Sequence, residues 1–350
     1  MKGIHAGGLA VAALAVAAFA VASAAGKPRA TRPADARTLR LVKTIDLPGP
    51  AGKRFDYLIV DPANGRLYSS HLGAGVINVI DTRTDRLIKT IPDTPGVEGV
   101  MPAPDVGKLY ASDWFENKIA VIDLHSLRII KKIPTAAKPD GIAYAAPFHK
   151  IYVSDERGRV EAVIDARRDV QIKLIHFQSE TGMPQYDPVA RKVYVNLEDT
   201  NRFAVIDPAT DTVVGEYPVG RCLGNHGMAL DPAHHRAFLS CEENHLMTVF
   251  DLDRHVPISY LPEARGADVV QFDAGLGRIY VASFSGAISV FEEETPDRYR
   301  KLEDFPVPYA VHSIAIDPAT HRVYAPEQQL DGRPASKLAI YQAVTAAPGK

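Results

Sequence analysis

An aromatic residue recurs along this chain at an almost constant interval, and that period constrains the fold more than any other feature. The recurring positions are 42 or 44 residues apart and are Tyr68, Tyr110, Tyr152, Tyr194, Phe238, Tyr280 and Tyr324. A period of this length is typical of the four-stranded blades of a β-propeller rather than of helical repeats. Seven such positions predict an all-β, seven-bladed propeller that forms one domain.

Each unit repeats the same order of segments, with turns rich in Asp, Pro, Ala and Gly between short apolar strands. The segment Ala120 to Asp123 reads AVID, and the same four letters recur at 162–165 and 204–207. Alternating β-branched residues indicate strands, and the closing Asp favours a turn. We therefore predict four antiparallel strands per blade, named a to d from the innermost to the outermost.

The two ends of the repeat array predict how the ring closes. Residues 41–45, LVKTI, copy residues 87–91, LIKTI, which belong to an outermost strand. The last unit stops after Gln342 without a fourth strand, so the segment Leu39 to Leu47 is expected to complete it. This closure would remove open sheet edges. The stretch Glu327 to Lys337 predicts a long polar loop between strands b and c of the last blade.

The first residues have the layout of a secretory signal peptide, with Lys2, an apolar run over 9–21 and small residues at 22–24. We predict a signal peptide over 1–25, a flexible linker over 26–38, the propeller over 39–343 and a C-terminal tail over 344–350. An uncleaved anchor is the alternative. The mature protein is expected to be periplasmic or secreted and monomeric, with no membrane span. The net charge of the full sequence, −2, disfavours nucleic acid as a partner.

Strand a of each blade begins at the mouth of the central channel, on the face where the d–a and b–c loops emerge. The residues at this position are Asp56, Glu98, Asp140, Gly182, His226, Asp268 and His312. Converging carboxylates repel one another, and a bound cation, protonated histidines or raised pKa values relieve that repulsion. The ring predicts a ligand or cation site, and a water-filled polar channel is the alternative.

The residue types in this ring leave the identity of the cation open. Carboxylates suit Ca²⁺, Mg²⁺ or Mn²⁺, whereas imidazoles shift the preference towards Zn²⁺, Mn²⁺ or iron. The candidate metal ligands are Glu98, Asp140, His226, Asp268 and His312. His226 and His312 are also the candidates for proton transfer in a catalysed reaction.

The b–c loops place further side chains on the same face, and two arginines beside the ring join the predicted ligand-binding set. The loop residues are His71, Asp113, Trp114, Phe115, Glu156, Arg157, Glu198, Glu242, His245 and Glu327. Trp114, the only tryptophan, predicts either a stacking platform or packing between blades. Arg221 and Arg265 predict either contacts to an anionic ligand group or solvated surface positions. Of the loop residues, His71 and Trp114 belong to the predicted ligand-binding set.

The two cysteines, Cys222 and Cys241, lie in one unit on the same face. An exported protein favours a disulfide between them. The spacing of Cys222 from His226 and of Cys241 from His245 also fits a four-ligand metal set, which would require reduced thiolates.

The strand b sequences resemble a known family. Residues 192–196, KVYVN, and 150–154, KIYVS, each followed by AVID, are similar to the repeats of YVTN-repeat propellers, the YncE-like family of exported bacterial proteins. The resemblance extends from Leu39 to Gln342 and implies the propeller fold. It leaves the function open, because such folds include binders, lactonases, lyases and dehydrogenase subunits.

Three functions follow from the ring and the resemblance. The first is a binding or interaction scaffold for a small-molecule ligand or a protein partner. The second is a metal-dependent lactonase, other hydrolase or lyase, since Glu98-Gly99 and Asp140-Gly141 resemble metal-binding positions of gluconolactonase-type propellers, although Asn225 is one place off. The third, single-stranded nucleic-acid binding as in some YncE-like proteins, needs a basic groove, which an acidic ring opposes. The chain has no haem-attachment, phosphate-loop or serine-elbow motif.

Overall fold

The computed structural model describes residues 38–345, which form seven four-stranded antiparallel sheets. Strand order within each sheet follows the chain in six of the seven, which confirms the predicted seven-bladed propeller. The predicted signal peptide and nearly all of the linker lie outside the described residues, as do residues 346–350 of the tail. Among residues 38–345, no helix is long and apolar enough to cross a membrane.

The first six blades each use consecutive strands. Their bounds are β2 (Leu58–Asp61), β3 (Arg66–His71), β4 (Val76–Asp81) and β5 (Arg86–Ile91) in blade 1; β6 (Val97–Ala103), β7 (Lys108–Asp113), β8 (Lys118–Asp123) and β9 (Arg128–Pro134) in blade 2; β10 (Pro139–Ala145), β11 (Lys150–Asp155), β12 (Val160–Asp165) and β13 (Val170–His176) in blade 3; β14 (Thr181–Asp187), β15 (Lys192–Leu197), β16 (Arg202–Asp207) and β17 (Thr212–Pro218) in blade 4; β18 (Asn225–Asp231), β19 (Arg236–Cys241), β20 (Leu246–Asp251) and β21 (Val256–Pro262) in blade 5; and β22 (Ala267–Asp273), β23 (Arg278–Ser283), β24 (Ala287–Thr295) and β25 (Arg298–Pro306) in blade 6. Short 3₁₀ turns cover Leu72–Ala74, Pro104–Val106, Ala146–Phe148 and Glu156–Gly158.

The seventh blade joins the two ends of the described chain, as the sequence predicts. It consists of β26 (Ala315–Asp317), β27 (Arg322–Leu330), β28 (Arg333–Ala343) and the N-terminal strand β1 (Leu39–Asp46). Strand β1 pairs with β28 in antiparallel register from Leu39 opposite Ala343 to Asp46 opposite Lys337. The outermost strand of this blade therefore comes from the other end of the chain.

The prediction of a long b–c loop in the last blade is wrong. Strands β27 and β28 continue through that stretch as one extended hairpin, in which Leu330 pairs with Arg333. The two residues at its tip, Asp331 and Gly332, both have positive φ, 50° and 75°. An Asp-Gly pair of this geometry forms a tight two-residue turn that matches the twist of the strands, so the polar residues before it pair instead of looping.

The recurring tyrosines are buried between neighbouring blades, and two of them show why a hydroxyl is useful there. Tyr152 is fully buried and donates to Asp211 Oδ1, in the c–d turn of the next blade, at 2.5 Å. Lys150 Nζ pairs with the other oxygen of Asp211 at 2.7 Å. Tyr110 makes the same contact with Asp169 at 2.8 Å. These landmarks therefore join one blade to the next.

A β-bulge at the start of strand a positions the candidate site. In blade 2, Glu98 and Gly99 both face Ser112 of strand b, and the same break in register occurs in blades 3 to 6. Gly99 donates its N–H to Ser112 Oγ at 2.7 Å, and that hydroxyl donates to the main-chain oxygen of Asp140 at 2.7 Å. A Cβ on Gly99 would lie 2.3 Å from that oxygen. The bulge thus turns the Glu98 side chain into the mouth and holds the next blade against it.

Candidate functional site

Two rings of equivalent residues surround a cavity of about 470 Å³ at the mouth of the channel. The strand-a ring is the set predicted from the sequence: Asp56, Glu98, Asp140, Gly182, His226, Asp268 and His312. The strand-b ring consists of the residue four positions after each aromatic landmark: Leu72, Trp114, Glu156, Glu198, Glu242, Phe284 and Gln328. Five members of the first ring and six of the second line the cavity, together with Arg54, Tyr57, Phe115 and Arg157.

Three carboxylates from successive blades converge in this cavity. Asp56, Glu98 and Asp140 are 2%, 6% and 3% exposed, and one oxygen of each lies within 4.8 Å of the others. Arg54 is the nearest basic side chain, and its Nη2 lies 2.8 Å from Asp56 Oδ2. The structure therefore brings two of the five predicted metal ligands together with Asp56, rather than all five.

Burial of these acids changes their protonation. Burial raises the pKa of Glu98, and the nearby carboxylates of Asp140 and Asp56 raise that pKa further. Burial also raises the pKa of Asp140, to about 6. A proton on one of these carboxyl groups reduces the repulsion among them, and a bound cation would reduce the same repulsion.

His226 connects the acids on the other side of the mouth. Its Nδ1 lies 2.7 Å from Glu198 Oε1, and its Nε2 lies 3.0 Å from Tyr57 Oη and 3.2 Å from Asp268 Oδ1. Burial lowers the pKa of His226, but Glu198 and Asp268 outweigh burial and hold that pKa well above its usual value. Tyr57 Oη donates to Asp140 Oδ2 at 3.3 Å. Glu198, His226, Tyr57 and Asp140 therefore form a continuous chain of hydrogen bonds.

His312 lies against the same acids from blade 7 and is 2% exposed. Its ring stacks on Phe284 at a centroid distance of 4.0 Å, and its Nδ1 donates to the main-chain oxygen of Ala310 at 3.0 Å. Its Nε2 is buried without a hydrogen bond, 3.6 Å from Asp56 Oδ2. Burial lowers the pKa of His312, but Asp56 and Asp268 raise it above the usual value.

Besides His312, three predicted ligand-binding residues do not line the cavity. His71 is fully buried, and its ring stacks on that of Phe55 at a centroid distance of 3.9 Å. Its side chain therefore points away from the mouth. Arg221 is exposed and lies over the ring of Tyr260 at 5.1 Å. Arg265 is exposed on its loop outside the cavity. Trp114, in contrast, lines the cavity.

Cys222 and Cys241 are joined by a disulfide, and both are fully buried. Their Cα atoms lie 5.2 Å apart. With both sulfurs in this bond, neither is a thiolate ligand for the alternative metal set.

Sequence reasoning missed Arg54, Tyr57 and Phe284. Phase along the repeat could have found Phe284, because it occupies the same offset from its landmark as Trp114 and Glu198. Tyr57 has no counterpart in the other blades, and it also lines a second cavity of about 290 Å³ within the channel. It therefore lies between the polar mouth and the remainder of the channel.

The fold and this mouth define a seven-bladed β-propeller with an acidic entrance to its channel. No protein-family model matches the chain, and no curated protein matches it. Among solved structures, the chain is similar to Kuenenia stuttgartiensis hydrazine synthase, with a TM-score of 0.69 and 16% identity over 81% of this chain and 94% of that one. It is also similar to the WD40 repeats of RRP9, with a TM-score of 0.73 and 11% identity over 88% and 98% of the two chains. A chain of the mitotic checkpoint complex gives a TM-score of 0.74 and 12% identity over 94% and 98%. At these identities the similarity shows the fold alone, a WD40-like propeller.

Proposed function

We propose that the protein is an exported YVTN-type propeller that binds a ligand at its mouth, with a divalent cation held by Asp56, Glu98 and Asp140. The convergence of three buried carboxylates from three blades carries this proposal. Oxygen donors of this kind suit hard divalent ions. The periplasm or the extracellular space is the proposed location, on the basis of the predicted signal peptide.

His312 offers a nitrogen donor beside one ligand of the cation site, since its Nε2 lies 3.6 Å from Asp56 Oδ2. Its Nδ1 hydrogen bond to a carbonyl fixes the proton on that nitrogen in the neutral ring, which leaves Nε2 free to bind a metal. That atom is buried without a hydrogen bond beside Asp56.

Cation titration of the mature chain tests this function. Protein treated with chelator and then dialysed would be titrated with Mn²⁺, Zn²⁺, Ca²⁺ and Mg²⁺ in a calorimeter. We expect one cation per chain, and affinity lower by about tenfold or more in Glu98→Gln. Glu263→Gln is the matched control, because Glu263 is equally buried but does not line the cavity. Absence of binding by all four ions, or equal affinity in Glu98→Gln, would contradict the cation site.

A metal-dependent hydrolase or lyase is the second candidate. The hydrogen-bond chain from Glu198 through His226 and Tyr57 to Asp140 favours it, because such a chain can move a proton to or from a group beside the cation. A bound cation would supply polarisation of a carbonyl group. Screening lactones and related esters with cation-loaded protein tests this, and His226→Gln should abolish turnover while leaving cation affinity within about threefold. No turnover on any substrate would leave the binding function alone.

A further inference from the structure

The strand-b ring is divided into two unlike halves. Glu156, Glu198 and Glu242, from three successive blades, form what we term the acidic arc. Trp114 from blade 2 and Phe284 from blade 6 flank it, one at each end, and we term these two the aromatic arc. The cavity therefore offers negative charge over three successive blades and a π face at each end of that stretch.

Carboxyl groups outnumber basic groups in the cavity lining. Seven carboxyl groups line it, against Arg54, Arg157 and His226 as the basic residues. Burial and, to a smaller extent, the charge of Asp140 raise the pKa of Glu156 to about 7. Burial raises the pKa of Glu242 as well, with a further contribution from Asp268 and Glu198. The mouth is thus short of positive charge even with its own basic groups in place.

An acceptor in the cavity is also left without a hydrogen bond. Asp268 Oδ1 is buried and accepts none, although His226 Nε2 lies 3.2 Å away in poor alignment. The Asp268 side chain is 10% exposed and lines the cavity. A donor from a ligand would satisfy this oxygen.

The aromatic arc already holds the protein's own cations. Lys138 Nζ lies 5.2 Å from the ring centroid of Trp114 and 5.7 Å from that of Phe115. Arg54 Cζ lies 5.6 Å from the ring centroid of Phe284. These contacts show that a positive group can lie against each of the two aromatic side chains, whose ring quadrupole attracts it.

We propose that the mouth binds a small organic ammonium ion, with its charged N–H donors on the acidic arc and its apolar part on the aromatic arc. This inference rests on the ligand-binding function proposed above and names the ligand class. A metal ion makes no use of the aromatic arc, and an anion is repelled by the carboxylates. The cavity of about 470 Å³ is of a size that takes a small molecule.

The test compares three probes of similar shape: benzylammonium, the neutral benzyl alcohol and the anionic benzoate. Binding to the mature chain at pH 8 in chelator would be followed by the fluorescence of Trp114, the only tryptophan in the sequence. We expect benzylammonium to bind about tenfold or more tightly than either other probe, and its affinity to fall with added salt.

Variants of acidic and of basic lining residues should change the affinity for benzylammonium in opposite directions. Glu156→Gln and Glu242→Gln should each weaken benzylammonium binding about threefold to tenfold. Arg54→Gln should strengthen it, because Arg54 is a like charge in the same cavity. Glu243→Gln is the matched control, since Glu243 lies on the same loop as Glu242 but does not line the cavity.

The outcomes separate this inference from the proposed cation site. Equal affinities for benzylammonium and benzyl alcohol, or an affinity that neither glutamine variant changes, would overturn the ammonium site even if Mn²⁺ still binds. Ammonium binding in protein that binds none of the divalent ions would uphold the inference and remove the metal from the proposed function. Binding of neither class would reject both.

Discussion

Replacing the hydroxyl of Tyr152 tests why a tyrosine recurs in the repeat. Tyr152→Phe removes the hydrogen bond from Tyr152 Oη to Asp211 Oδ1. Asp211 is 8% exposed, and Lys150 contacts its other oxygen, so Oδ1 loses its hydrogen bond in a site with little water. A hydrogen bond to a charged group contributes about 1.5–3 kcal/mol, so we expect the free energy of unfolding to fall by about 2 kcal/mol.

Tyr194→Phe is the matched control. Tyr194 is the landmark of blade 4 and faces the c–d turn of blade 5. That turn has His255 at the position that Asp211 occupies in the c–d turn of blade 4. Within residues 38–345, the hydroxyl of Tyr194 makes no hydrogen bond, while its ring stacks on Phe203 at 5.2 Å. The free energy of unfolding should therefore change by less than about 0.5 kcal/mol.

Urea unfolding followed by far-ultraviolet circular dichroism would measure both variants at pH 7. For a domain of this size, a loss of about 2 kcal/mol lowers Tm by about 4 °C. A cycle of Tyr152→Phe with Asp211→Asn should give less than the sum of the single effects, because both remove the same contact. Equal losses in Tyr152→Phe and Tyr194→Phe would refute the reasoning, since the ring rather than the hydroxyl would then be responsible.

Three further changes have expected outcomes. Burial raises the pKa of Asp155 to about 7 from 3.8, so the ionised carboxyl destabilises the folded state as the pH rises between those values. In urea titrations at pH 8, Asp155→Asn should therefore be more stable than the wild type by up to roughly 4 kcal/mol. Near pH 4 the two proteins should be equally stable. Gly227→Ala should lower Tm by several degrees in calorimetry, because its Cβ would lie 1.8 Å from the main-chain oxygen of Asp268; an unchanged Tm would show that the two blades can separate freely. Removing the disulfide by Cys222→Ser with Cys241→Ser should cost about 3 kcal/mol in the same urea assay, given its sequence separation of 19 residues, and reductant should then have no further effect.

Site residues that occupy the same position in every repeat could be located from the sequence. The strand-a ring was found because each member lies at a fixed distance from a turn, and the β-bulge then points Glu98 and Asp140 into the mouth. His71 lies one position before the strand-b ring, and like its equivalents Asp113 and Asp155 it is fully buried. A shift of one position along the strand therefore separates a side chain in the mouth from one inside the blade.

The sequence by itself determined the number of blades, the closure of the ring by β1 and the acidic character of the mouth. The first two follow from the period of the repeat and its copied strand sequences, and the third from the residue types at one position of the repeat, all of which can be read along the chain. Tertiary structure alone decided which charged groups meet. Tyr57 reaches His226 across 169 residues, and Arg54 reaches the ring of Phe284 in blade 6. Such contacts depend on how blades are set around the axis, and no spacing within one repeat encodes that arrangement.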